Sequence, residues 1–137
     1  MRRLALSIAT LSMLCALVFG PSTAASASNK DVFVGTWTSI DNDGSNQVLF
    51  IMGSGARGRH AVMVEDDAAT IACGGAPAHV QGSGRVEGRV LSWSFTVSCP
   101  GTGRPPFNGR TGPGSFTYRP GTDTLIDDSG VIWHRTV

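Results

Sequence analysis

From Leu91 to Cys99 the chain alternates without a break. Leu91, Trp93, Phe95, Val97 and Cys99 fall on one face, and Ser92, Ser94, Thr96 and Ser98 on the other. A period of two held over that length is a β-strand with one face buried and one face wet. Shorter segments of the same kind recur about every ten residues, the rhythm of an all-β sandwich or barrel. Expected strands cover 32–40, 47–52, 59–65, 69–73, 78–86, 89–99, 115–119, 124–127 and 131–136. Turn chemistry separates them: Asp41-Asn42-Asp43-Gly44-Ser45, Asp66-Asp67, Gly74-Gly75-Ala76-Pro77, Glu87-Gly88, Pro120-Gly121-Thr122-Asp123 and Asp128-Ser129-Gly130. Gly82 and Gly84 interrupt one strand and suggest a bend or bulge. Pro100 to Gly114, rich in glycine and proline, reads as the one long loop. No segment keeps a helical period. Strands joined to their sequence neighbours by short turns favour an antiparallel up-and-down β-barrel of about eight to nine strands over a Greek-key sandwich.

The first residues follow a different logic. Met1-Arg2-Arg3 is basic, Leu4 to Phe19 is largely apolar, Gly20-Pro21 breaks the run, and Ala25-Ser26-Ala27 offers small residues for cleavage. That is the pattern of a secretory signal peptide. Residues 1–27 are expected to be removed by a cut after Ala27, with Ala24 and Ala25 as alternative sites. Residues 28–137 then form a single domain, secreted to an extracellular or periplasmic space. No second apolar span follows, so no membrane association is expected after cleavage. Cys73 and Cys99 remain in that domain, and an exported chain with two cysteines pairs them. Closing a loop of that length contributes about 3–4 kcal/mol in the chain-entropy account.

The two ends of the domain complement each other. The first strand carries Gly35-Thr36-Trp37 within Phe33 to Ile40, and the last carries Arg135 within Val131 to Thr136. A guanidinium over an indole makes a cation–π contact while its five donors reach backbone carbonyls. Gly35 allows another segment to approach closely. Gly35, Trp37 and Arg135 are therefore the expected barrel closure. In these motifs the chain resembles the calycin group, which includes lipocalins, fatty-acid-binding proteins, avidins and small bacterial metalloprotease inhibitors. There a Gly-x-Trp opens the first strand and a basic residue near the last strand packs over the Trp. The resemblance implies the architecture. It covers the two end motifs and the rhythm between them, and no binding residue of those families aligns here.

Signals for chemistry are sparse. Basic and acidic residues nearly balance, 11 against 10, with no basic run. That argues against nucleic-acid binding. His60, His79 and His134 sit on three different strands and read as surface or rim residues; no metal is expected. Asp41-Asn42-Asp43-Gly44-Ser45 has its glycine at the fourth place, where a calcium loop of the EF-hand type needs it at the sixth. The acidic pairs at 41/43, 66/67 and 127/128 read as turn residues. Gly53-Ser54-Gly55 and Gly82-Ser83-Gly84 lack the extended nucleophile motif and a helix to follow it. Arg104-Pro105 is a poor scissile bond for a substrate-like inhibitor.

What remains is binding. Trp37, Phe50, Trp93, Phe95, Phe116, Tyr118 and Trp133 are the rings available to line a barrel interior, and together they favour a filled core over an open cup. A pocket, if the barrel has one, belongs at an open end under Pro100 to Gly114, with Trp93, Phe116 and Tyr118 as its contacts. The expected function is a secreted, monomeric, non-enzymatic barrel, without cofactor, that binds a small apolar or amphipathic ligand. The alternative is a protein-binding module such as an inhibitor of an extracellular enzyme.

Overall fold

The computed structural model describes residues 31–55, 58–101 and 107–136. The expected signal peptide and the Arg104-Pro105 bond lie outside the described residues. Eight strands follow one another: β1 (Gly35–Ile40), β2 (Asn46–Gly55), β3 (Arg59–Ala69), β4 (Ala76–Glu87), β5 (Val90–Ser98), β6 (Thr111–Arg119), β7 (Thr124–Asp127) and β8 (Ile132–Arg135). Each pairs antiparallel with its sequence neighbours, and β8 returns to β1 to close the barrel. This is the expected up-and-down topology, with eight strands.

Alternation decides which side chains go inside. Trp37 of β1, Leu49 and Ile51 of β2, Val62 and Val64 of β3, and Leu91 and Trp93 of β5 all turn inward. Phe116, Leu125, Val131 and Trp133 complete the same core. Trp93 stacks on Phe116 with ring centres 5.7 Å apart, and Phe116 meets Trp133 edge-on at 5.9 Å. Phe50 does not join them. It lies between the inward Leu49 and Ile51, so the two-residue period turns it to the outer wall.

The rings of β5 need room, and glycines on both neighbouring strands supply it. Trp93 is in register with Gly84 of β4 and Gly114 of β6, and Phe95 with Gly82 and Gly112. A Cβ at Gly114 would lie 2.5 Å from Trp93 Nε1, and one at Gly112 would lie 3.0 Å from Phe95 Cζ. The expectation that Pro100 to Gly114 is all loop is corrected here. Residues 111–114 belong to β6, and their glycines are places where neighbouring rings cover the strand.

One end of the barrel is strapped shut. Residues 31–34 turn beneath β1, with Phe33 fully buried and its carbonyl accepting from Trp37 Nε1 at 3.0 Å. Arg135 lies over the Trp37 ring at 3.9 Å. It also donates to Val34 O (2.8 Å), Val32 O (2.6 Å) and the Asp123 carboxylate (2.9 Å). Gly35 adopts a φ of 144°, and a Cβ there would sit 2.8 Å from Arg135 Nη1. Gly35, Trp37 and Arg135 thus meet at this end of the barrel. His60, expected at the surface or rim, is instead 2% exposed on the inner face of β3. Its Nε2 lies 2.5 Å from Asp31 Oδ2, which ties the strap to the wall. Inward alternation with Val62 and Val64 put it there.

The other end carries the disulfide. Residues 69–73, expected as a strand, leave β3 at Ala69 and form a four-residue helical turn, α1 (Thr70–Cys73). Gly74 and Gly75, at φ 65° and 88°, end it. The turn swings Cys73 onto Cys99 with the Cα atoms 5.5 Å apart, confirming the expected disulfide. An extended continuation of β3 would have carried Cys73 beyond the end of the sheet. No helix among the described residues is long and apolar enough to cross a membrane.

Candidate functional site

The packed core leaves a hollow at the disulfide end. There β1, β2, β3 and β4 finish beside α1 and the segment after Cys99, around a cavity of about 220 Å³. Its wall is apolar: Val64, Ala69, Ala72, Ala78, Val80 and Phe107. Phe107 comes from the stretch expected to cover an open end. It is held by the turn it starts, in which Arg110 donates N–H to the Phe107 carbonyl at 2.9 Å and lies over its ring at 5.0 Å. Val97 in turn bonds Gly109 and Arg110 through its backbone. Ile71, 75% exposed, stands at the rim.

The polar part of the lining is acidic. Asp66 is inward on β3 and 6% exposed. Gln47 Nε2 donates to its Oδ2 at 3.0 Å, and the N–H of Ala68 to its Oδ1 at 3.0 Å. Asp43 accepts from the hydroxyl and N–H of Ser45 and from the N–H of Thr70, binding the β1–β2 turn to α1. Those donors, Ser45 first, hold its carboxyl well below the usual carboxylate range. Asp41 behaves in the opposite way. Burial raises its carboxyl; the Asn42 N–H works against that, and the charges of Asp43, Asp66 and Asp127 add to the rise. Among the described residues no Lys, Arg or His lines the cavity.

The wider charge pattern has the same polarity. Among the described residues, Asp41, Asp43, Glu65, Asp66, Asp67 and Asp127 lie toward the disulfide end with Arg110, whereas Arg59, Arg85, Arg89, Arg119 and Arg135 lie toward the strapped end with Asp31, Glu87 and Asp123. The described carboxylates thus gather at one end, an arrangement that favours cations there.

Two of the expected ligand contacts, Trp93 and Phe116, sit in the filled core, and Tyr118 sits at the strapped end against Phe33, its hydroxyl donating to Asp123 at 3.1 Å. None of the three reaches the hollow. What was missed is the set Asp41, Gln47 and Asp66. Asp41 and Asp66 carry turn signals, and the pairing of Gln47 with Asp66 joins residues 19 apart. His60, His79 and His134 do not converge. Among the described residues no group of three metal-binding side chains is present. No protein-family model, no curated protein and no solved structure matches the chain.

Proposed function

We propose that the chain is a secreted, non-enzymatic binding barrel whose hollow at the disulfide end takes a small amphipathic ligand with a cationic head. One observation carries the reading: the core is filled, and the interior space left at that end has an apolar wall with carboxylates and, among the described residues, no cationic side chain in its lining. The volume sets the scale. Pockets for drug-sized ligands begin at about 300 Å³, so the occupant here is smaller than that. The apolar part rests on Val64, Val80 and Phe107, and the ammonium faces Asp41 and Asp66. A deeply buried lipid chain is not part of this reading, because Trp93, Phe116 and Trp133 occupy the space it would need. The disulfide agrees with export.

The test is an NMR titration of residues 28–137 with phenethylammonium, against phenethyl alcohol as the neutral match. Saturable shifts at Val64, Ala72 and Val80 with the amine, weakened in Asp66→Asn and absent with the alcohol, support the proposal. Equal response to both compounds, or none at millimolar amine, overturns it.

A second reading is favoured by one observation, the exposed Ile71 beside the hollow. There a partner protein inserts a lysine or arginine side chain, as an inhibitor-like module would require. A basic peptide that binds far more tightly than the free amine, and loses that advantage in Ile71→Ser, distinguishes this reading from the first.

A further inference from the structure

A second concave surface lies on the outside of the wall, toward the strapped end. It is a groove of about 670 Å³ running across β3, β4, β5 and β6. Register explains its shape. Gly84, Trp93 and Gly114 stand side by side on three strands with their side-chain positions turned inward, so the outer wall there is bare backbone. Ser83, Ser94 and Pro113 form the next row on one side; Arg85, Ser92 and Ser115 form the next row on the other. These neighbours point outward and flank the bare strip as two banks.

The charge at one end of the groove is unusual. Arg59 of β3 is directly opposite Arg85 of β4. Like charges in that position destabilise a sheet. Both side chains are exposed, and neither has an ion-pair partner among the described residues. Two guanidiniums therefore face the groove with up to ten N–H donors between them, and the carboxylates of Glu87 and Asp128 line the same groove without pairing to either arginine. Beside them stand four serine hydroxyls, each able to donate and to accept. Two unpaired guanidiniums beside hydroxyls on both banks match an elongated ligand that carries both an oxyanion and hydroxyls.

We propose that this groove binds an acidic saccharide, its carboxylate or sulfate group held by Arg59 and Arg85 and its hydroxyls by Ser83, Ser92, Ser94 and Ser115. Guanidinium recognises either oxyanion in the same bidentate geometry. The groove volume lies within the range of small-ligand sites. This site is separate from the hollow at the disulfide end, shares no residue with it, and stands without the reading given above.

The test uses residues 28–137, isotope-labelled, titrated with three probes: a galacturonate tetramer, a sulfated disaccharide, and a neutral galactose oligomer of matching length. Saturable amide shifts at Ser83, Ser92, Ser94 and Ser115 with either acidic probe, and none with the neutral one, are expected. Which acidic probe binds more tightly identifies the carboxylate or the sulfate as the preferred group. Arg59→Gln and Arg85→Gln should each weaken binding about tenfold, as the loss of a charge-assisted hydrogen bond does. Arg85→Lys, which keeps charge and loses the fork, should weaken it less. Both arginines are exposed, so an unchanged amide spectrum elsewhere shows that each variant is folded. No saturable shift with either acidic probe, shifts outside the groove, or equal binding by the neutral oligomer overturns the proposal.

Discussion

Removing the Arg135 side chain tests how the barrel is held shut. In Arg135→Ala, two backbone carbonyls lose their donor, Val34 O at 2.8 Å and Val32 O at 2.6 Å. Each such bond contributes about 1 kcal/mol net, or somewhat more with a charged donor. The contact with Trp37, at 3.9 Å over a fully buried ring, adds about 1–2 kcal/mol. The Asp123 pair is half in water and adds about 0–1 kcal/mol. The expected loss is therefore about 3–5 kcal/mol, a large share of the about 5–15 kcal/mol that holds a domain folded. Equilibrium urea unfolding followed by tryptophan emission measures it. With an m-value of about 1–2 kcal/mol/M the midpoint should fall by about 2 M or more. Arg135→Lys keeps a cation over the indole but cannot bridge both carbonyls and Asp123, so it should recover about half of the loss. A loss below about 1 kcal/mol in Arg135→Ala, or full stability in Arg135→Lys, would refute the account of a forked clasp.

Replacing Cys73 and Cys99 together by serine should cost about 3.5 kcal/mol, from a closed loop with a sequence separation of 26, read as a lower urea midpoint with and without reductant. Gly114→Ala should destabilise by about 1–3 kcal/mol and change tryptophan emission, because the new Cβ meets the Trp93 indole. The two mouth carboxylates should show opposite pH dependence. Asp43 has a lowered folded value, so its contribution is fully present above about pH 3.8, the unfolded value, and is lost progressively as pH falls below it. Asp41 has a raised folded value, so ionising it opposes folding, and Asp41→Asn should be neutral or stabilising at pH 7. Unfolding curves of both variants at pH 7 and pH 3 check this. Asp43→Asn should be destabilised at pH 7 and closer to the parent at pH 3, whereas any gain in Asp41→Asn should be gone at pH 3.

Where the sequence could be read, local pattern and geometry agreed. The alternation from Leu91 to Val97 is the inward face of β5, and the Trp37 and Arg135 pair needed only chemistry that each residue carries by itself. The failures have one cause, which is that a residue's neighbour across the sheet is invisible in its own segment. Thr70-Ile71 has β-branched side chains and reads as strand, yet the disulfide and two glycines of positive φ make it a helical turn. Gly112 and Gly114 read as loop because glycine usually marks one; here they lie beneath Phe95 and Trp93 on the next strand. His60 reads as surface because histidine usually is, but its partner Asp31 lies 29 positions away. The hollow went unseen for the same reason, since Asp41, Asp66 and Phe107 come from three stretches far apart in the chain.

The seam between β1 and β8 has a consequence for the order in which the barrel assembles. Every other ladder joins strands consecutive in the chain, the longest connection being residues 99–110 between β5 and β6. The seam alone joins distant residues, with Thr136 bonding Thr36 across 100 positions, and only Trp37 with Arg135 and Thr38 with His134 are in register. Closing a loop of that length costs about 2–3 kcal/mol more than closing a five-residue turn. Hairpins therefore form first and closure comes last. Until then the chain is a curved open sheet with two bare edges, each able to pair with another molecule. Arg135 thus sets how long those edges stay exposed, and a chain with a weakened clasp should aggregate during refolding at concentrations the parent tolerates.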